Sequence, residues 1–454
     1  MNNNRSAVFC LQGMCLLIAL CFQTMANANN PLTDLLDSLE QAVASGTALS
    51  VRGAVLQGDD ITEFGFGRLA PDDPTAPDRD SAYQIGSITK VFTHLLLAEI
   101  VAHGTLRYET RIAEILGGEI EFADPAVGEI TLLQLATHSS GLPRLPLNLI
   151  TADLTDPYAH YGEQELLAAL ARIGDDQGLL DQQSYSNFGA GLLGYLLGRV
   201  NGSSYGQALA SHVLEPLGLN HTGMVLSGRV ASPWASGAVV PAWSFDALAG
   251  AGALWSTTSD LVRLAQAVVG ARSHQLQQDL AAGLVAVIDI GDGLSVSPVW
   301  HIAETEAGPV YWHNGGTHGN TSFLGIRPAT EEALIVLLAG ELDATNAALS
   351  WFGFRPDVTD SARARVDMDR QALQTYVGEY ALAPGVVFTI RLQDEMLEAR
   401  LTGQSFLPIL PRAEDIFFYL DVDAELHFER NEAGEIVALI LHQGGMQQRA
   451  DRAR

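Results

Sequence analysis

Apolar residues recur along this chain in distinct rhythms. Over residues 32–45, Leu35, Leu36, Leu39 and Val43 share one side of a helical wheel and predict an amphipathic helix. Two strands follow, Ala48–Leu56 and Ile61–Leu69, around a Gly58-Asp59-Asp60 turn. An acidic, proline-rich loop, Pro71–Asp80, then gives way to a helical spacing of Ile88, Val91, Phe92, Leu95, Ile100 and Val101 that Gly104 ends. The stretch 130–280 reads as mainly helical, and strand character returns over Val310–Arg327 and Ala333–Gly340. Strands at both ends of a helical middle predict an α/β domain. Its sheet is completed by distant segments, and a helical subdomain is inserted between them.

Residues 354–371, rich in Arg and Asp, read as a linker. Beyond it come the short runs Val387–Leu392, Met396–Leu401, Ile416–Leu420, Leu426–Glu429 and Ile436–Leu441, with Phe388, Ile390 and Leu392 alternating along the first. Residues 372–454 are therefore expected to form a small all-β unit, barrel or sandwich, carrying no catalytic constellation. The catalytic domain is expected to span 29–353, since 454 residues are too many for one small core and suit one large domain plus an accessory piece.

The N-terminus changes the picture of where the chain works. Arg5, the apolar run Ala7–Phe22 and the small-x-small site Ala26-Asn27-Ala28 together read as a cleavable signal over residues 1–28. A retained membrane anchor is the alternative, although the run is short for a span. A lipoprotein signal fits less well, because bulky Leu20 precedes Cys21. All three cysteines, Cys10, Cys15 and Cys21, lie in this segment, so the processed chain has no thiol for disulfides, metal binding or catalysis. A periplasmic or secreted location is expected.

The net charge of −28 argues against a nucleic-acid-binding face. It fits a well-solvated acidic surface. Among 25 basic residues only one is a lysine, Lys90, and it lies three residues after Ser87.

That spacing is chemically meaningful. Residues three apart on a helix lie one turn apart on one face, so the Lys90 amine sits beside the Ser87 hydroxyl. A serine needs such a base, and an amine serves when burial or another cation lowers its pKa. The plainer alternative is that Ser87 caps a helix and Lys90 points to water. A second motif, Tyr185-Ser186-Asn187, offers a phenol able to relay a proton and an amide able to hold a substrate carbonyl while bonding the lysine. Taken alone, Ser186 or Asn187 could simply cap the following helix. A third, His313-Asn314-Gly315-Gly316, offers glycines that let a substrate lie against a strand edge. Taken alone, Asn314-Gly315 reads as a hairpin turn. His94, His138, His221 and His318 show no metal-ligand spacing, and packing or capping explains them. Trp255 and Trp312 read as core or cleft wall.

In this chain order, Ser-x-x-Lys, Tyr-x-Asn and a basic residue followed by x-Gly resemble the penicillin-recognising serine enzymes. More narrowly, the chain resembles their class C β-lactamase and D-Ala-D-Ala carboxypeptidase branch. Segments 130–143, 216–222 and 252–257 support this, and the resemblance covers about residues 45–340. It implies an antiparallel sheet flanked by helices beside a helical subdomain, with the active site in the cleft between. Ser87 would form the acyl-enzyme, and Lys90 and Tyr185 would form the base system, without an order between them. Asn187, His313, Asn314, Gly315 and Gly316 would bind substrate, with the N–H groups of Ser87 and Gly316 as oxyanion hole. No metal or organic cofactor is implied. The C-terminal unit resembles β domains appended to some relatives.

There are departures. His313 stands where potent β-lactamases carry lysine, and Asn314 where threonine is commoner. Arg144-Leu145 lacks a glutamine that class C enzymes have nearby, and Leu179–Ser184 lacks a Pro-Gly turn. A histidine is largely neutral near pH 7 and attracts a carboxylate weakly. The expected activity is hydrolysis of D-Ala-D-Ala peptides or peptidoglycan fragments. A β-lactamase or short-chain carboxylesterase is the alternative, and a non-catalytic penicillin-binding sensor a third.

Overall fold

In the computed structural model, the described residues are 31–149, 156–174, 179, 185–225, 228–269, 288–291, 293–354, 366, 368–383, 386–393, 396–402, 406–419, 424–431, 433–443 and 446–453. The expected signal segment, most of the expected linker and most of Leu179–Ser184 lie outside them. Strand β1 (Ala48–Gln57) is buried along almost its whole length, as a central strand must be. It pairs antiparallel with β2 (Asp60–Gly67) and, far along the chain, with β12 (Glu332–Gly340). The sheet runs β2-β1-β12-β11-β10-β9-β8-β7. Its remaining strands are β7 (Ile288–Gly291), β8 (Leu294–Val296), β9 (His301–Ala303), β10 (Val310–Thr317) and β11 (Asn320–Arg327). Two ribbons stand apart: β3 (Ala82–Gln84) pairs β6 (Trp255–Thr257), and β4 (Trp234–Ala235) pairs β5 (Ala238–Val239).

Alternation along β12 divides the interior. Leu334, Val336 and Leu338 face one core with Leu35 and Leu39 of the helix Pro31–Ser45. Ala333, Ile335, Leu337 and Ala339 face the larger core. There the helices Thr89–Ala102, Asn187–Val200 and Thr258–Val269 supply Phe92, Leu96, Leu193, Leu197 and Leu261. Helices therefore cover both faces of the sheet, which explains why its central strands are apolar throughout rather than alternating. Among the described residues, no helix is long and apolar enough to cross a membrane.

The C-terminal strands close into a barrel, β13 (Gly378–Ala383) through β20 (Met446–Arg452), with β13 hydrogen-bonded to β20. Between them run β14 (Val386–Gln393), β15 (Met396–Leu401), β16 (Leu407–Ala413), β17 (Ile416–Tyr419), β18 (Ala424–Arg430) and β19 (Ile436–Gln443). The five expected strands are present, and three others escaped the pattern. β16 contains Pro408 and Pro411, which cannot donate to a ladder, and β20 is almost wholly polar. β13, Gly-Glu-Tyr-Ala-Leu-Ala, is too mixed in composition to signal itself.

The barrel's aromatic centre is Phe428, whose ring meets Tyr376, Phe417 and Tyr380 edge-on at 4.9, 5.5 and 5.5 Å between centroids. Phe428→Ala is expected to lower the barrel's stability by about 3–5 kcal/mol. The measurement is the temperature at which protease cleaves within 378–452, which should fall.

Candidate active site

The Ser87 segment is built on glycine. Gly86 has φ +48°, and a Cβ there would lie 2.6 Å from the backbone nitrogen of Gly316. A Cβ on Gly315 would lie 2.0 Å from the Ile85 carbonyl oxygen. Only these two glycines let strand β10 lie backbone-to-backbone against the turn that carries Ser87. Ser322 on β11 adds a bond to the same Ile85 carbonyl, 2.9 Å long. Ser87 itself sits in a single 3₁₀ turn, Gly86–Ile88, immediately ahead of the helix Thr89–Ala102 rather than as its cap.

One turn on, Lys90 is completely buried. Its Nζ lies 3.0 Å from Ser87 Oγ, 2.8 Å from Asn187 Oδ1 and 2.8 Å from the Ala251 carbonyl oxygen. None of these partners is a carboxylate. Burial, and secondarily the nearby Arg144 charge, hold the amine well below the usual lysine range. A neutral amine has two N–H groups and one lone pair. Asn187 Oδ1 and the Ala251 carbonyl can only accept, so each takes an N–H of the amine, while the Ser87 hydroxyl can accept a third N–H or donate to the lone pair once the amine is neutral.

The second motif divides its labour by residue. Ser186 is the helix cap: its Oγ accepts the Gly189 N–H at 2.8 Å and donates to the Pro143 carbonyl at 2.7 Å. That leaves the Asn187 side chain for Lys90. The Arg144 carbonyl accepts the N–H groups of Asn187 and Phe188, and His138 Nδ1 accepts that of Ser186. His138 sits at φ +58°, an unusual conformation for a non-glycine residue. The Tyr185 ring centroid lies 4.7 Å from Lys90 Nζ. Burial pushes the phenol up to about 12, against the opposing pull of Ser87 and Arg144.

The third motif is not a turn. His313–Gly316 lie inside β10, and the hairpin turns two residues later, at His318-Gly319, where Gly319 has φ +92°. Beyond Trp312, β10 loses its pairing with β9, so among the described strands His313–Thr317 pair only with β11. Gly316 is exposed, and a Cβ there would meet nothing within 4 Å. Asn314 corrects an expectation. It pairs with Phe323, which faces the smaller core, and its amide donates to Thr345 Oγ1 at 3.1 Å, so its side chain turns away from Ser87. Only its backbone borders the cleft.

His313 is buried, and its Nδ1–H donates to the Asn314 carbonyl at 2.6 Å. Burial above all holds it well below the usual histidine range. His301 on β9 and His138 also reach the site, with ring centroids 4.8 Å from His313 and 4.5 Å from Tyr185 respectively. Burial likewise lowers His301 to about 4 and His94 to about 3. Among the described residues, no group of three or more side chains suits a metal ion. Motif reading singled out neither His301 nor Arg144 for the site. His301 has no flanking signature, and Arg144 stood out only where a glutamine was missing. Tyr158, which hydrogen-bonds Asn187 and stacks on Phe245 at 4.7 Å, was equally silent.

Residues 36–351 match the family described as Beta-lactamase, and residues 362–452 match a Domain of unknown function (DUF3471). Penicillin-binding protein 4* of Bacillus subtilis (strain 168) is 24% identical, covering 94% of this chain and 99% of that relative. The D-alanyl-D-alanine-carboxypeptidase/endopeptidase AmpH of Escherichia coli (strain K12) is 24% identical over 56% of this chain and 67% of its own length. Among solved structures, a class C beta-lactamase from Rhodobacter sphaeroides superposes with a TM-score of 0.60 at 20% identity, covering 70% of this chain and 96% of that one. The likeness is one of fold.

Two outcomes follow from this geometry. Gly315→Ala is expected to cost at least about 1–3 kcal/mol and to part β10 from the Ser87 turn, while Gly316→Ala melts like the unaltered protein. Thermal denaturation of the pair checks this. The neutral imidazoles set the second. His301 is lowered to about 4 from an ordinary 6.5, so in that window the unfolded chain binds the extra proton and stability falls as pH drops. His301→Phe keeps a ring against Trp312 and His313, and should flatten the fall in urea midpoint between pH 6.5 and pH 4.

Proposed function

The chain belongs to the beta-lactamase family of serine hydrolases, and on that premise we propose an exported hydrolase that works through an acyl-enzyme on Ser87. Its substrates are D-Ala-D-Ala-type peptides or related peptidoglycan fragments. The observation that carries this reading is the buried Lys90 amine, 3.0 Å from Ser87 Oγ and held by Asn187 and Ala251 without a carboxylate.

Ser87 Oγ attacks the substrate carbonyl as its proton passes to the Lys90–Tyr185 pair. The carbonyl oxygen takes up the charge, and the N–H groups of Ser87 and Gly316 stabilise it. Collapse of this intermediate breaks the C–N bond, and the pair returns the proton to the departing amine. The same pair then activates a water that cleaves the Ser87 ester and restores the hydroxyl. Asn187 orients the substrate amide. His313 contributes an uncharged edge to the cleft, as does the exposed backbone of Gly316.

The name of the AmpH relative, a D-alanyl-D-alanine-carboxypeptidase/endopeptidase, favours peptide over β-lactam as the physiological acyl donor. An esterase or weak β-lactamase uses the same nucleophile. The residues beyond the signal segment would work in the cell envelope.

Release of D-Ala from an acyl-D-Ala-D-Ala peptide, compared with turnover of a p-nitrophenyl ester and a chromogenic cephalosporin, separates these substrates. No D-Ala release with brisk ester turnover would reject the peptidase reading. Labelling by a fluorescent penicillin, mapped to its peptide, should be lost in Ser87→Ala. Lys90→Ala is expected to lower kcat/KM by about a thousandfold or more, and Tyr185→Phe by roughly a hundred- to ten-thousandfold.

A further inference from the structure

A substrate that ends in a carboxylate must find a cation in this cleft, and the expected position does not supply one. His313 is held neutral by burial and commits its Nδ1–H to the Asn314 carbonyl. His301, His138 and His94 are neutral for the same reason. Lys90 is sealed, with three oxygen partners of its own.

Arg144 differs from all of these. Its guanidinium carbon lies 5.3 Å from the centroid of the Tyr185 ring, and the residue is only partly buried. Its backbone is fixed by the bonds its carbonyl accepts from Asn187 and Phe188. The charged end is therefore carried on a loop that is pinned to the Tyr185 motif. No carboxylate among the described residues pairs with it. Among the described residues Arg52, Arg79, Arg111, Arg199, Arg229 and Arg327 each meet one, whereas Arg68, Arg107 and Arg263 do not; what sets Arg144 apart is an unpaired charge beside the Tyr185 ring. A guanidinium keeps its charge across the working pH range and grips carboxylates through two parallel N–H bonds.

We infer that Arg144 is the specificity-determining cation of this site and binds the free carboxylate of the acyl donor, in the place of a charged residue on β10. The inference rests on Ser87 being the acylating nucleophile, and it holds whichever leaving group the enzyme prefers.

The test measures kcat/KM on two matched pairs of substrates. One pair is an acyl-D-Ala-D-Ala peptide and its C-terminal amide; the other is an aryl ester with a ring carboxylate and the same ester with a ring carboxamide. The unaltered chain should prefer the carboxylate member by about tenfold or more, Arg144→Gln should bring that ratio within about twofold of unity, mainly through KM, and Arg144→Lys should keep part of it. Fluorophosphonate labelling of Ser87 in each variant shows that the site is assembled. If the ratio survives in Arg144→Gln, if both members fall equally, or if the unaltered chain has no preference, the inference is overturned. Peptides left uncleaved while the ester pair shows the Arg144-dependent ratio would reject the D-Ala reading and leave this one standing. Peptide cleavage with an unchanged ratio would do the reverse.

Discussion

An ammonium group deprived of water and of any carboxylate is costly, and this molecule places one at its centre. Lys90 lessens the cost by holding its proton less tightly than an ordinary lysine, because desolvation and a neighbouring guanidinium both disfavour the charged form. The surroundings are consistent with that choice. Two of its three partners can only accept hydrogen bonds, the third is the Ser87 hydroxyl, and the imidazoles nearby are themselves uncharged. A carboxylate in this pocket would have kept the amine protonated and removed its capacity as a base.

Holding that pocket together requires two remote parts of the chain to meet without side chains between them. Residue 86 precedes the first long helix of the larger core, and residue 315 lies more than two hundred positions later on a strand. Their contact is backbone on backbone, so it tolerates no added carbon at either place. The pocket's third wall, the loop from His138 to Arg144, is tied to the Tyr185 motif by hydrogen bonds from Ser186, Asn187 and Phe188. Each side chain of the proposed machinery thus stands on an element whose position is set by a different part of the fold.

Local rules were enough to find Ser87 and Lys90, because one helical turn is a property of neighbouring residues. They also sufficed for β1 and β12, whose apolar runs are long, and for β2, which the Gly58-Asp59-Asp60 turn announces. They misled at Asn314-Gly315, where tertiary packing against Ile85 overrode a strong turn signal and the chain reversed at His318-Gly319 instead. They said nothing of His301 or Arg144, which enter the site through strand pairing and loop docking rather than spacing. In the barrel, β16 and β20 were hidden because prolines and polar side chains are acceptable where a strand's neighbours supply the closure.

Because Lys90 is the chain's only lysine and has no exposed surface, the native fold offers acylating or aldehyde reagents no side-chain amine at all. Coupling chemistry aimed at lysine would therefore spare the working enzyme and mark only molecules that have opened. The same residue that makes the catalyst possible doubles as a built-in reporter of its unfolding.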